Sequence, residues 1–453
     1  MQYNQDKKQK IAEILKSVKE KKIKFCLLQF VDIEGTLKSI GINSNRLEDV
    51  LYFGEGFDGS SISGYGRLEE SDMVAVPDPQ TFSIIPWREN EPDGRFICDI
   101  YNPDGTRYEG DPRYILQRAA EKAEEMGFQM KAAPELEFFL LKKEKNGFGS
   151  EVLATDYRGY FSADGSHEDH YIRREIALIA DQFPFVGCET VHHEVAQSQH
   201  EISIRYDDVR KIADATMTMK MVVKAVAAKH GYIATFMPKP WKGHNGSGMH
   251  VHQSLWDLKG NNVFYDENDP NGKISNILRY FIGGQLKHAH SMTAILNSWP
   301  NSFKRLIPGF EAPTLISWGF KNRSMLIRVP NFFNKGKAAR CEIRSPDGAG
   351  NIYLQLAALL NAGLDGIKYK IDPPAPVEIN LFHTTKEERE KLGIKELPES
   401  LGEALSHMTH STFTREMLGE IAYEAFYDSK RKENDLYNQI VSNWELLRYS
   451  DKL

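Results

Sequence analysis

Hydrophobic residues recur along this chain with two different periods, and the switches between them mark its elements. Ile11, Ile14, Leu15 and Val18 sit three and four apart, which predicts a helix over residues 6–21. The runs 25–32 and 36–42 instead read as strands, separated by Glu34-Gly35, which resembles a hairpin turn. A short helix near 45–53, a Gly/Ser-rich loop from Gly54 to Gly66 and a strand at 95–101 follow, the last ending in Asn102-Pro103-Asp104-Gly105. These elements form a small, mostly β unit. Near Gly110 the pattern changes. Asp111 fits an N-cap, Pro112 the first helical position and Gly127 a stop, bounding a helix at 113–126. Beyond it, strands at 132–141, 192–206, 248–256 and 339–345 alternate with helices at 168–182, 209–230, 274–297 and 351–366. The division expected is 1–108 and 109–453. The last hundred residues read as mixed helices and polar loops with no legible motif.

Composition narrows the class. A chain of 453 residues is too long for one compact core. Its net charge of −6 provides no field for nucleic acid or an anionic membrane, so any bound phosphate must meet locally placed cations. The first residues are highly charged and lack the apolar core of a signal peptide, and no apolar run is long enough to cross a bilayer. Cys26, Cys98, Cys188 and Cys341 are scattered, which is poor material for a disulfide framework or a zinc site. A cytoplasmic location is expected.

The candidate chemistry is carboxylate-rich. Gly54-Glu55-Gly56-Phe57-Asp58-Gly59 fits a dinucleotide fingerprint in spelling only. It follows a helix rather than a strand, and two carboxylates inside it would repel phosphate. Glu135 and Glu137 lie two apart on a predicted strand and so share one face, while Leu136 and Phe138 share the other. His250 and His252 repeat the spacing, as do Glu342 and Arg344, and the segment His192–Glu201 adds Glu194 and Glu201. Each pair alone reads equally well as a solvated strand face or a hydrogen-bonded core histidine. Together they present hard oxygen ligands with occasional imidazole, which suits Mg²⁺ or Mn²⁺. A pair of such ions serves phosphoryl chemistry, but the pattern alone does not name the reaction.

Asp58-Gly59-Ser60-Ser61, Pro134–Phe138, Asn245–His250 and Asn301–Pro313 resemble, in this order, the type I glutamine synthetases, and in particular the shorter class that is not adenylylated. The resemblance runs from Asp32-Ile33-Glu34-Gly35 to Asn380-Leu381-Phe382. It implies an α+β fold: a small β-grasp domain followed by a large domain whose curved antiparallel sheet forms a funnel. It also implies ATP-dependent ligation of ammonia to L-glutamate through a γ-glutamyl phosphate. One metal would be held by Glu137, Glu194 and Glu201, and another by Glu135, His250 and Glu342. Glu189, Tyr206, His252, Ser254 and Lys337 match ATP-contacting positions, and Arg323, Arg328 and Arg340 match positions that handle phosphate. Asn245, Gly246, Arg305 and Arg344 match glutamate-binding positions. Asp58 matches the ammonium-binding aspartate, supplied by a neighbouring subunit, and Glu311 the flap that closes over the intermediate. Without the resemblance, Asp58 reads as a turn aspartate and Glu311 as a solvated loop carboxylate.

The resemblance further implies a dodecamer of two hexameric rings. Arg67 matches an arginine linked to glutamine feedback, although an ion pair with the neighbouring acids accounts for it equally. Phe382, standing where the adenylylated class has tyrosine, has no hydroxyl to modify. Some similar enzymes answer to 2-oxoglutarate or to small nitrogen-regulatory proteins, and no residue here decides that. Relatives that use a bulkier amine tend to lose the ammonium aspartate, so Asp58 favours ammonia. A non-catalytic relative and a metal-dependent hydrolase are the remaining alternatives. The first is disfavoured by the full ligand set, and the second leaves the arginines unexplained.

Overall fold

The computed structural model describes residues 5–65, 71–88, 90–146, 149–163, 165, 167–320, 323–332, 336–381 and 384–453. Arg67 and Phe382, which carry the regulatory expectations, lie outside the described residues. Strands β1 (Phe25–Val31), β2 (Leu37–Asn43), β3 (Glu55–Asp58), β4 (Asp72–Pro77), β5 (Ser83–Ile84) and β6 (Gly94–Tyr101) form the first sheet. Its order is β2-β1-β6-β4-β3, with β5 also on β6. β1 runs antiparallel to β2 and parallel to β6. Helices Gln5–Glu20 and Leu47–Phe53 bury Ile11, Ile14, Leu47 and Leu51 against Cys26, Leu28, Phe96 and Ile100 of the sheet. The segment expected to be a continuous Gly/Ser loop contains β3, an edge strand on β4. Four residues, Glu-Gly-Phe-Asp, offer no apolar alternation by which to recognise a strand.

The β1–β2 turn docks the first unit onto the second. Asp32 Oδ1 accepts from the N–H groups of Glu34 (3.1 Å) and Thr36 (2.8 Å). Asn351 Nδ2 donates to the carbonyl of Asp32 at 3.0 Å, while its Oδ1 caps the helix Ile352–Tyr369. Gly35 has φ +89°, and a Cβ there would lie 2.8 Å from Asn351 Cα. The left-handed backbone and the close approach both exclude a side chain. Gly35→Ala is therefore expected to cost about 1–3 kcal/mol, read as a lowered unfolding midpoint in thermal or urea denaturation.

The second sheet is organised by one long strand, β7 (Phe128–Asn146). Around it stand β8 (Gly149–Ala154), β9 (Cys188–His193), β10 (Gln199–Ile204), β11 (Asp207–Asp208), β12 (Ile233–Thr235) and β13 (Met249–Asp257). β14 (Leu315–Ile316) pairs with β18 (Lys395–Glu396), while β15 (Trp318–Phe320), β16 (Ile327–Val329) and β17 (Cys341–Ile343) complete the large sheet. Its order is β15-β16-β17-β13-β7-β10-β9, with β8, β11 and β12 also on β7. Among its described strands, only β15 and β16 pair in parallel. Helices Pro112–Glu125, Val209–Lys229 and Ile352–Tyr369 share one core with the rear of the sheet, where Leu136, Phe138, Ile202, Val251 and Ile343 are buried. Each such side chain contributes roughly 1.5–3 kcal/mol, which fixes the register that aims the alternate residues forward.

Two expected elements differ. Residues 192–206 form a hairpin, β9–β10, instead of one strand, and Ser198 near the turn has φ +52°. A serine in that conformation leaves no glycine signal to read. Residues 274–297 form two helices, Asn276–Lys287 and Ala289–Leu296, broken at His288, whose Nε2 lies 2.6 Å from Asp365 Oδ2. The C-terminal region folds into further helices, among them Glu420–Asn438, whose Ser429 and Lys430 reach Glu34 of the β1–β2 turn. No described helix is long and apolar enough to cross a membrane.

Candidate active site

The forward face of the second sheet carries a row of polar cross-strand pairs. β7 sets Glu137 opposite Glu201 of β10 and Glu135 opposite His250 of β13. Glu342 of β17 stands opposite His252 on one side and Arg328 of β16 on the other. Glu201 stands opposite His192 of β9. Directly opposed residues have Cβ atoms about 4.5–5.5 Å apart, so six strands focus their charges into one strip.

Within the strip, Glu135 accepts from both histidines: Oε2 from His250 Nδ1 at 3.0 Å and Oε1 from His252 Nε2 at 2.9 Å. Burial pushes the Glu135 carboxyl up, but these two bonds overcome it and hold the group well below the usual carboxylate range. Glu342 is likewise raised by burial and then brought down to about 2, chiefly by Arg344. Its oxygens accept from Arg344 (2.5 Å) and Arg328 (2.9 Å). Glu137 Oε2 accepts from Gln199 Nε2 and from the Gly248 N–H, each at 2.9 Å. Burial, then the charges of Glu137 and Glu201, push the Glu194 carboxyl up to about 8. Three neighbouring carboxylates with too little positive charge among them fit a divalent cation, and so does their donor chemistry. Glu135, His250 and Glu342 offer ligand atoms within 4.8 Å of one another, and so do His192, Glu194 and Glu201. The first trio has the membership expected. In the second, His192 stands with Glu194 and Glu201, and Glu137 lies alongside.

Two cavities open on either side of Glu135. The larger, about 830 Å³, is lined by Glu135, Glu137, Glu194, Glu201, His250 and Glu342 together with Asn245, Gly246, Arg305, Glu311, Arg323, Arg328 and Arg344. The smaller, about 390 Å³, is lined by Glu189, Tyr206, His252, Ser254, Lys337 and Arg340. Glu135, Thr190 and Ser203 line both. In the smaller cavity Tyr206 lies nearly parallel to Trp256, at 10° and 6.4 Å between centroids, and the Lys131 ammonium sits 4.1 Å from the Trp256 centroid. Arg305 lines the larger cavity with its guanidinium donating to the carbonyls of Ser345 (2.7 Å), Pro346 (3.3 Å) and Arg344 (3.0 Å). Glu311 has φ +59°, rare for a residue with a side chain, and accepts from Asn245 Nδ2 at 3.2 Å.

Asp58 is the one expected catalytic residue that lines neither cavity; it is exposed at the end of β3. Hydrogen bonds from Ser60 hold its carboxyl below the usual range. Several lining residues escaped the sequence reading. His192 and Gln199 were legible in principle, since each is two residues from a chosen glutamate. Tyr160 and Phe161, which stack on each other with centroids 4.0 Å apart and meet His192 edge-on, come from a loop with no periodicity to follow.

A strip of carboxylates backed by arginines, standing between two cavities, defines an enzyme that handles phosphate with divalent metal. The family model for the catalytic domain of glutamine synthetase matches residues 109–449, and the model for its β-grasp domain matches residues 22–103. The chain is 48% identical to the glutamine synthetase of Thermotoga maritima, over 97% of this chain and 99% of that one. It is 47% identical to that of Methanosarcina mazei, over 97% and 98%. Among solved structures, a GmaS–ADP complex superposes with a TM-score of 0.86 at 30% identity, covering 96% of this chain and 99% of that one. The glutamine synthetase of Plasmodium falciparum superposes with 0.85 at 27%, covering 97% and 98%. The chain belongs to the glutamine synthetase family, with its β-grasp and catalytic domains and its curled sheet. Its activity is that of a glutamate–ammonia ligase, and the family uses ATP and divalent metal.

Proposed function

We propose that this chain joins glutamate to ammonia at the two cavities that meet at Glu135, ATP occupying the smaller and glutamate the larger. What carries this reading is the shared wall: one carboxylate, fixed by two histidines, borders both spaces. In the first step the side-chain carboxylate of glutamate takes the γ-phosphoryl group. Asn245, Gly246, Arg305 and Arg344 would hold glutamate, and Arg323, Arg328 and Arg340 would face phosphate oxygens. Planar guanidinium groups suit both tasks by bidentate pairing. Glu189, Tyr206, His252, Ser254 and Lys337 would position the nucleotide. Two or more Mg²⁺ or Mn²⁺ ions, seated among Glu137, Glu194 and Glu201 and among Glu135, His250 and Glu342, would supply charge neutralisation for the transfer.

In the second step Asp58, contributed by the β-grasp domain of a neighbouring copy, accepts a proton from ammonium. The resulting ammonia has the lone pair needed to attack the acyl phosphate. Glu311 and its loop keep water from that intermediate. This arrangement requires an oligomer, and a dodecamer of two hexameric rings in the cytoplasm is the form proposed, with the domain boundary at 108/109. Arg67 is proposed to couple the site to glutamine. The proposal predicts phosphate release that needs glutamate, ammonium and a divalent cation together. An assay that saturates with a bulky amine and not with ammonium would overturn the choice of acceptor.

A further inference from the structure

Behind the strip, the same two strands carry a second constellation. Period two turns His193 of β9 and His200 of β10 to the face opposite His192 and Glu201, and they pair across the hairpin with ring centroids 5.2 Å apart. Facing them are Asp156, in the segment after β8, and His167 and Asp169 at the start of the helix Glu168–Ala180. Asp156, Asp169, His193 and His200 are all buried. We propose that Asp156, His167 and Asp169, with His193 beside them, hold a structural divalent cation of the zinc class that braces the strands bearing Glu194 and Glu201 from behind.

Three observations carry this. The first is spacing. His167 Nδ1 lies 3.8 Å from Asp156 Oδ2 and 3.7 Å from Asp169 Oδ1, and His193 Nε2 lies 3.4 Å from Asp156 Oδ2. Asp156, His167 and Asp169 offer atoms all within 4.8 Å of one another. These separations are long for hydrogen bonds. They lie close to the edge of a tetrahedron whose centre is about 2.0–2.2 Å from each corner, roughly 3.3–3.6 Å.

The second is satisfaction. Asp169 Oδ1, His167 Nδ1 and His193 Nε2 have no hydrogen-bond partner among the described residues, and Asp169 Oδ2 meets His200 Nε2 only at 3.5 Å. Buried polar atoms are rarely left so.

The third is the tautomers. His193 Nδ1 donates to the carbonyl of Glu194 at 2.6 Å, so in the neutral ring Nε2 presents a bare lone pair to the Asp156 carboxylate. Two acceptors facing each other need something positive between them. A backbone carbonyl orienting the far ring nitrogen is the usual support of a metal-ligating histidine. His200 is different: Arg173 Nη1 donates to its Nδ1 at 2.6 Å, leaving the proton on Nε2, which faces Asp169 at 3.5 Å. It is therefore a donor beside the site and not a ligand. Arg173, buried beside the cluster, spends this bond on His200, and Arg158 lies 3.9 Å from Asp156 Oδ1, the oxygen turned away from His193. The donor set, two carboxylates and imidazole without thiolate, suits Zn²⁺ among redox-inert ions.

The test gives the full-length protein one equivalent of Zn²⁺ with Mg²⁺ in excess, removes unbound metal by gel filtration and counts zinc by mass spectrometry. About one zinc per chain is expected in the wild type and in Glu342→Gln, and about tenfold less in His167→Ala and Asp169→Asn. If Asp169→Asn does not fold, His167→Ala decides, because that ring is 27% exposed and its removal leaves the hairpin packed. Zinc retention no higher in the wild type than in His167→Ala overturns the proposal. So does zinc that is lost on Glu342→Gln and kept on His167→Ala, which would place it among the catalytic carboxylates.

Discussion

Replacing Glu342 by alanine is expected to lower glutamine formation about a thousandfold and to destabilise the protein at the same time. The carboxylate lies at the centre of the strip, 3.8 Å from His250 and bonded to Arg344 and Arg328. Its side chain is 2% exposed, and those of Arg344 and Arg328 are 8% and 22% exposed. Removing it leaves two guanidinium groups facing each other with their neutralising partner gone, a loss of about 3 kcal/mol when a buried pair is broken from one side. Glu342→Gln keeps the shape and one acceptor, so its activity should fall nearly as far while its unfolding midpoint stays closer to the wild type. Glutamine formation at saturating metal, measured beside urea denaturation, separates the two effects. A Glu342→Ala enzyme within tenfold of wild-type activity would remove this residue from the chemistry.

Asp58→Ala should behave in the opposite way, with a large kinetic loss and an unchanged fold. The side chain is exposed and its bonds are local, to Ser60. A positioned acid–base group contributes about 10²–10⁴ in rate, so glutamine formation should drop by that order at fixed ammonium. Transfer of phosphate to glutamate precedes the step Asp58 serves and should persist, visible as slow ammonium-independent ADP release when the acyl phosphate decays. Mixing Asp58→Ala chains with Glu342→Ala chains supplies a further check. If neighbouring copies complete each other's sites, mixed assemblies regain activity that neither parent has. Equal loss of both half-reactions in Asp58→Ala would contradict the assignment.

Much of the site was legible because strand periodicity is a strong constraint. Glu135 and Glu137 are separated by a leucine that packs into the core, and the same alternation set His250 with His252 and Glu342 with Arg344. Which strands neighbour which is not written in any local pattern, so the pairings of Glu137 with Glu201 and of Glu342 with Arg328 emerge only from tertiary register. Polar residues continue across Ser198, so local pattern alone predicts one strand where the chain turns into a hairpin. No proline or glycine marks the break at His288; the helix ends where the histidine meets Asp365. Tyr160 and Phe161 reach the cavity from irregular backbone, where composition has no geometric meaning.

The length of β7 has a consequence for how such an enzyme changes. Its 19 residues pair with five strands, so a one-residue insertion ahead of Glu135 that slipped the register would turn both glutamates toward the hydrophobic layer. Asn245 and Glu311 instead stand on connecting segments that no ladder constrains. Tolerance is thus partitioned: the part that manages phosphate is locked to a ruler, while the part that greets the acceptor can drift. New acceptor preferences in this architecture should arise by editing loops, with the ruler left as it is.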